Sequence, residues 1–247
     1  MGISGNLWLW FKSYLFNRQQ CVKINNKYSH LLPVLSGIPQ GSILGPLLFL
    51  IYVNDIPGYV SNSLLYLFAD DTKCLKTISD PADSVQLQND INSLSYWSKQ
   101  WSLLFNPTKI VQISFKSTLQ TSYTIGTSSI TKVESHKDLG ITLSSNLTWD
   151  AHYDQIIAKA YSILGLLRRT FSLQTHSNSK KQLYISLVRS QLLYCSILWK
   201  PHYIKHIQQF ERVQRRATKY ILNDFTSDYK SRLIQTLNCH HLPIYYI

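Results

Sequence analysis

Phe68-Ala69-Asp70-Asp71 sets two adjacent carboxylates between two short apolar runs, Leu64 to Phe68 and Thr72 to Leu75. Runs of that length read as strands, and the interval between them has room only for a tight turn. The segment is therefore expected to be a hairpin with acid at its tip. Like charges a few Å apart are unfavourable unless a cation neutralises them. A divalent ion does so, and ligands that offer only oxygen favour Mg²⁺ over thiolate-seeking metals. The competing reading is an Asp-Asp turn that hydrogen-bonds its own backbone.

About thirty residues upstream, Ser36-Gly37-Ile38-Pro39-Gln40-Gly41-Ser42 runs into the apolar stretch Ile43 to Tyr52. Glycines on either side of a fixed Pro-Gln let backbone approach a ligand closely, with the Gln40 amide aimed outward. No Gly-Lys-Ser/Thr follows, so this is not a Walker phosphate loop. A plain loop leading into a helix is the structural alternative.

Positive charge is concentrated in one part of the chain. Between residues 151 and 221 there are 12 basic and 2 acidic residues, whereas residues 1 to 150 carry 11 and 9, and the whole chain is +12. Apolar residues recur at helical spacing through the basic stretch: Ile156, Ile157, Ala160, Ile163, Leu164 and Leu167, then Leu183, Leu187 and Leu193, then Ile207, Phe210, Val213 and Ala217. Three amphipathic helices with cationic outer faces follow from that pattern. Arg168, Arg169, Lys180, Lys181, Arg212, Arg215, Arg216 and Lys219 are the candidate phosphate contacts. His202 and His206 are read as part of the same surface. The alternative is an ordinary solvated face.

The rest of the chain reads as mixed α/β. Leu7 to Leu15 is helical, and Cys21 to Ile24 and Ser29 to Val34 form strands about an Asn25-Asn26 turn. Asp80-Pro81 starts a helix that Asn106-Pro107 breaks. Short strands are expected at Ile110 to Phe115, Tyr123 to Ile125, Ile130 to Val133 and Leu139 to Leu143. With 45% hydrophobic and only 15% charged residues, a disordered chain is excluded. The apolar run at Ile43 to Val53 is interrupted by Gly45 and Pro46 and is too short to span a bilayer. No secretory signal is visible, which points to an intracellular protein of cytoplasm or nucleus. Cys21, Cys74, Cys195 and Cys239 are scattered, unlike a disulfide framework. A zinc site from Cys195, His202, His206, Cys239, His240 and His241 lacks the tight ligand pairs such sites use. Neither a Gly-x-Ser-x-Gly elbow nor a His-Glu-x-x-His helix occurs.

Taken together, Ser36 to Ser42 with LGPLLFLIYVNDI, the FADD turn, Trp97 through Asn106-Pro107-Thr108-Lys109, and Lys137-Asp138-Leu139-Gly140-Ile141 with Leu147-Thr148-Trp149 resemble the reverse transcriptase of non-long-terminal-repeat, LINE-like retrotransposons. The basic helices, including Arg212-Val-Gln-Arg-Arg216, are similar to the thumb and C-terminal region of these elements. The resemblance implies an α/β (α+β) fold: an incomplete polymerase palm with an antiparallel sheet, residues 1–145, then a basic helical thumb-like region, residues 146–247. It implies RNA-templated DNA synthesis with Mg²⁺ or Mn²⁺, an RNA template with a DNA primer or an RNA–DNA duplex as partners, and dNTP as substrate. In its terms Asp70 is the main metal ligand and Asp71 its partner. Gly37, Pro39, Gln40, Gly41 and Ser42 pack against the nascent base pair, and Lys109 lies near the triphosphate unless it is a plain surface lysine. Leu139 and Gly140 belong to the hairpin that grips the primer.

The resemblance also implies a third carboxylate on a strand preceding Ser36, and template-binding fingers before that. The first acidic residue of this chain is Asp55. The expectation is an N-terminally truncated domain with little or no polymerase activity by itself; the alternative is a non-catalytic remnant whose basic helices keep an affinity for nucleic acid.

Overall fold

The computed structural model describes residues 3–116 and 121–237. The chain forms two units, one of Met1–Thr108 with Tyr123–Ser129, the other of Lys109–Ser122 with Ile130–Ile247.

In the first unit, α1 (Gly5–Leu15) precedes two nested ladders: β1 (Gln19–Gln20) pairs antiparallel with β4 (Leu32–Pro33), and β2 (Lys23–Ile24) with β3 (Lys27–Tyr28). Asn25 and Asn26 both hold positive φ, 45° and 65°, the type I′ pattern that Asn tolerates best among residues with a Cβ. Helix α2 (Leu44–Val53) leads through a 3₁₀ turn, Ile56–Tyr59, to the hairpin of β5 (Leu64–Phe68) and β6 (Asp71–Leu75). Helix α3 (Pro81–Gln100) starts with a capping box: the Asp80 carboxylate accepts from the Asp83 N–H at 2.9 Å, and that of Asp83 accepts from the Asp80 N–H.

Helix α3 stops at Gln100, not at Asn106-Pro107. Ser102 takes φ +53°, the Leu103 N–H reaches back to the Ser98 carbonyl at 3.0 Å, and the Ser102 N–H reaches that of Lys99 at 3.3 Å. This is a Schellman ending with Ser where Gly is usual. Leu104, beyond that ending, is exposed as a result. The buried core of this unit is Val53, Ile56, Leu94 and Trp97, with Phe49, Leu65, Cys74 and Phe105 against it. Much apolar surface stays outside: α1 buries none of its residues, and Leu35 and Ile43 are 92% and 97% exposed.

The chain continues through β7 (Val111–Gln112) and the hairpin β8 (Thr124–Ile125)–β9 (Ser128–Ser129), then β10 (Thr131–Lys132), which pairs parallel with β7. Gln88 of α3 holds β8 to the first unit by bonds to both the N–H and carbonyl of Thr124, 2.9 and 2.8 Å. Antiparallel β11 (Ser135–Asp138) and β12 (Ile141–Ser144) are joined at Leu139-Gly140. A strand through Leu139 was expected; the positive φ of both residues, 45° and 89°, makes them the turn.

The second unit ends in helices: α4 (Asp150–Thr170), α5 (Ser177–Leu183) running on as a π-helical turn (Tyr184–Arg189), α6 (Ser190–Leu193), α7 (Ser196–Trp199), α8 (Ile204–Leu222) and α9 (Tyr229–Leu237). Their core is dense. Trp199 stacks on Phe210 at 5.7 Å, Tyr153 meets both rings edge-on, and the Tyr153 hydroxyl donates to the Trp199 carbonyl at 2.8 Å. His206 lies in this core, its Nε2 3.0 Å from Asp150 Oδ1, so it does not belong to a phosphate-facing surface. The fold is thus mixed α/β, with small ladders that are mostly antiparallel followed by a helical region. Among the described residues, no helix is long and apolar enough to cross a membrane.

Candidate metal and nucleic-acid site

Register pairs Phe68 with Asp71, so Ala69 and Asp70 are the two-residue turn and both carboxylates stand exposed at the tip. Ala69 has φ +51°, the sign primed hairpin turns require at that position, where Gly is usual. A residue with a Cβ held there stores on the order of 1–3 kcal/mol of strain, which surrounding structure must offset.

The offset begins at the hairpin's base. Asp90 of α3 is only 2% exposed, and its carboxylate accepts from the Ser61 N–H (3.2 Å), the Asn62 N–H (3.0 Å), Asn62 Nδ2 (3.1 Å) and the Ser63 hydroxyl (2.6 Å). Burial pushes this carboxyl's pKa up, but the bonds from Ser63, Ser61 and Asn62 outweigh it and leave the pKa below the ordinary carboxylate value. Across the hairpin, Lys76 Nζ donates to the Asn62 carbonyl at 3.1 Å and pairs with Asp83 at 3.5 Å. Two acids of α3 therefore clasp both ends of the hairpin. Asp90 escaped the sequence reading, although its spacing from Leu94 and Trp97 places an acid on the apolar stripe.

The Ser36–Ser42 loop is organised by its own side chains. Gly37 and Gly41 hold φ of 78° and 77°, Ser42 Oγ donates to the Pro39 carbonyl (2.7 Å) and accepts from the Gly45 N–H (3.0 Å), and Gln40 is exposed. A Cβ on Gly45 would stand 3.2 Å from Ser42 Oγ and 3.3 Å from the Pro39 carbonyl, which is why the apolar helix carries Gly there. Arg18, a residue the motif does not include, donates from its guanidinium to the Gly37 carbonyl. The loop and the Asp turn share the first unit through α2, whose Phe49 and Val53 join Leu65 and Cys74 in one cluster. Among the described residues no hydrogen bond or ion pair joins Gln40 to either aspartate.

Lys109 is exposed after an Asn106 turn and belongs to the second unit. Leu139 and Gly140 form a rigid corner: the Tyr194 hydroxyl donates to the Leu139 carbonyl at 3.0 Å, and a Cβ on Gly140 would meet the Tyr194 ring at 3.0 Å.

The cations divide into sets. Arg168, Arg169 and Arg212 are exposed, and Lys181 is half-buried. Arg215 pairs with Glu211 at 3.3 Å and lies over Tyr229, so its charge is already met. Arg216 lies over the Tyr161 ring. Lys180 is a correction: it is 2% exposed, with Nζ donating to the carbonyls of Leu173 and Tyr220, both at 3.2 Å, so it offers no outward phosphate contact.

Divalent cations are the cofactors the resemblance implies. The exposed carboxylates of Asp70 and Asp71 are hard oxygen donors suited to one hydrated Mg²⁺. Among the described residues no cluster of three His, Cys, Asp or Glu stands with them. Asp55 accepts from Trp97 Nε1 at 2.9 Å, and Asp90 is occupied as above. The residues Cys239, His240 and His241 of the discarded zinc reading lie outside those described.

A Pro-Gln loop before an apolar helix, a hairpin with Asp70 in its turn and Asp71 opening its second strand, and a basic helical region, in this order, define the class. A family model described as reverse transcriptase (RNA-dependent DNA polymerase) matches residues 1–143, and the chain belongs to that family. It is related to the enzymes of non-long-terminal-repeat retrotransposons. The probable RNA-directed DNA polymerase from transposon BS of Drosophila melanogaster is 28% identical over 226 residues, 85% of this chain and 25% of that protein. The one from the mobile element jockey of the same fly is 29% identical over 160 residues, 61% of this chain and 18% of the relative. That from transposon X-element is 28% identical over 227 residues, 85% and 24%. The chain spans about a quarter or less of the length of these relatives.

Proposed function

We infer that this chain carries part of a polymerase palm, over residues 1–145, followed by thumb-like helices, and that by itself it binds nucleic acid without joining nucleotides. In polymerases two metal ions about 3.5–4 Å apart activate the attacking hydroxyl and stabilise the leaving group. The observation that carries the reading is the fate of the acids: among the described residues of the first unit, Asp55, Asp80, Asp83 and Asp90 are hydrogen-bonded to Trp97, to the α3 cap and to the loop before β5, while the Asp70–Asp71 doublet stands exposed at the tip. A doublet holds one hydrated ion, and removing a group of this kind lowers rate by roughly three decades.

In this reading Asp70 and Asp71 face the metal, and Gly37, Pro39, Gln40, Gly41 and Ser42 face the nascent base pair with its dNTP. Lys109 serves the pyrophosphate, and the Leu139–Gly140 corner meets the primer. Arg168, Arg169, Lys181, Arg212, Arg216 and Lys219 hold an RNA–DNA duplex, or RNA template with DNA primer. Incubation of the chain with primed RNA, dNTPs and Mg²⁺ or Mn²⁺ tests this. The expected outcome is an unextended primer; extension that Asp70→Ala abolishes would overturn the reading.

A further inference from the structure

A cavity of about 280 Å³ opens in the helical unit, lined by Arg168 of α4, Leu173, Arg216, Lys219 and Tyr220 of α8, and Phe225. Each part is placed by a local feature. Arg216 and Lys219 are one helical turn apart on α8, which ends at Asn223 in the left-handed region (φ +52°), the conformation Asn tolerates best among residues with a Cβ. The chain then turns on Asp224, whose Oδ1 accepts from the N–H groups of Thr226 and Ser227 at 2.9 and 3.0 Å. That turn ties the neighbouring carboxylate to backbone N–H groups and leaves Phe225 lining the cavity with 55% of its surface exposed.

The floor of the cavity is also cationic. Leu173 and Tyr220 both line it, and their carbonyls hold the buried Lys180 ammonium. Basic residues near helix C-termini are ordinarily explained by the helix dipole. Two helix ends supply about half a negative charge each. With the Asp224 carboxylate counted as well, roughly two of the four positive charges of Arg168, Arg216, Lys219 and Lys180 stay uncompensated, and among the described residues none of the four is in an ion pair. The neighbouring cavity on α8, lined by Gln208, Glu211, Arg212 and Arg215, differs in holding its own carboxylate, which pairs with Arg215.

Resting on the reading of these helices as a nucleic-acid surface, we propose that this cavity is a site for one unpaired nucleotide of a single strand: Arg168, Arg216 and Lys219 take the phosphate and Phe225 stacks on the base. Guanidinium groups suit a phosphate's paired oxygens, and an exposed aromatic ring beside cations is the means by which unpaired strands are held without sequence preference. At about 280 Å³ the cavity falls just short of the usual range of small-ligand pockets, which suits one nucleotide and not a stacked base pair.

The test compares fluorescently labelled hexauridylate with a hexamer of the same backbone lacking bases, on the full chain at fixed salt. Wild type binds hexauridylate about tenfold tighter than the abasic strand. Phe225→Leu removes that preference while binding the abasic strand as before, Phe225→Tyr keeps it, and Arg216→Gln weakens both strands. Unchanged circular dichroism shows that the variants are folded. Equal binding of the two strands by wild type, or a preference that survives Phe225→Leu, overturns the site while leaving the broader nucleic-acid reading in place. Free UMP competing as well as the strand overturns the strand as ligand. Binding to anionic phosphatidylserine vesicles with no binding of either hexamer, or of an RNA–DNA duplex, overturns both readings.

Discussion

Asp90 concentrates more of the first unit's order than any motif residue, because four donors converge on one buried carboxylate just before β5 begins. Hydrogen bonds to a charged group contribute about 1.5–3 kcal/mol, and an unsatisfied buried donor is unfavourable in itself. Asp90→Asn is therefore expected to destabilise the chain by about 2–3 kcal/mol, measured by urea unfolding at pH 7. The sign with pH follows from a folded-state pKa held below the unfolded value: the contribution is complete above the unfolded carboxylate value and disappears as pH falls through the folded one. The gap between wild type and Asp90→Asn should accordingly narrow on the acid side. A constant gap from pH 7 to pH 3 would contradict this. The aspartate doublet was legible because adjacent acids between apolar runs are conspicuous. Asp90 was not, because one acid in a polar-rich helix looks like any other until the residues folded onto it are known.

Elements with local chemistry at their ends were the readable ones. Asn25-Asn26 and Asp80-Pro81 announce a turn and a helix start through their own backbone preferences, and both stand where expected. The end of α3 was hidden because Ser102 adopts a conformation that Gly usually signals. Ser102→Gly should relieve that strain and stabilise the chain by about 1 kcal/mol, read as a higher urea midpoint. A lower midpoint would show that the Schellman ending is not what stops the helix. Lys180 was assigned to an outer face from its charge, although it stands three residues before Leu183 on α5 and so shares that residue's face. Two backbone carbonyls from other segments, those of Leu173 and Tyr220, satisfy its ammonium inside the helical unit, and no local signal announces them.

At the scale of the whole molecule the two units are packed unequally. The helical unit buries aromatic side chains such as Trp199 and Phe210 completely, whereas the first unit leaves Leu35, Ile43 and the faces of α1 in solvent. Urea should therefore unfold the chain in two steps, the first accompanied by loss of bound hydrophobic dye; one coincident transition by fluorescence and circular dichroism would refute it. Binding to an RNA–DNA duplex should weaken by about 0.7–0.9 log units per log unit of salt for each phosphate neutralised, and a salt-insensitive affinity would remove the basic helices from the interface. The family was legible from motif order alone, while the uneven packing depends on long-range contacts that no motif records. The central claim, that an aspartate doublet supports one hydrated ion and not two, is tested most directly by counting Mn²⁺ with electron paramagnetic resonance on wild type and an Asp70→Ala, Asp71→Ala double variant. The account predicts a difference of at most one weakly held ion per chain; the loss of two ions on substitution would contradict it.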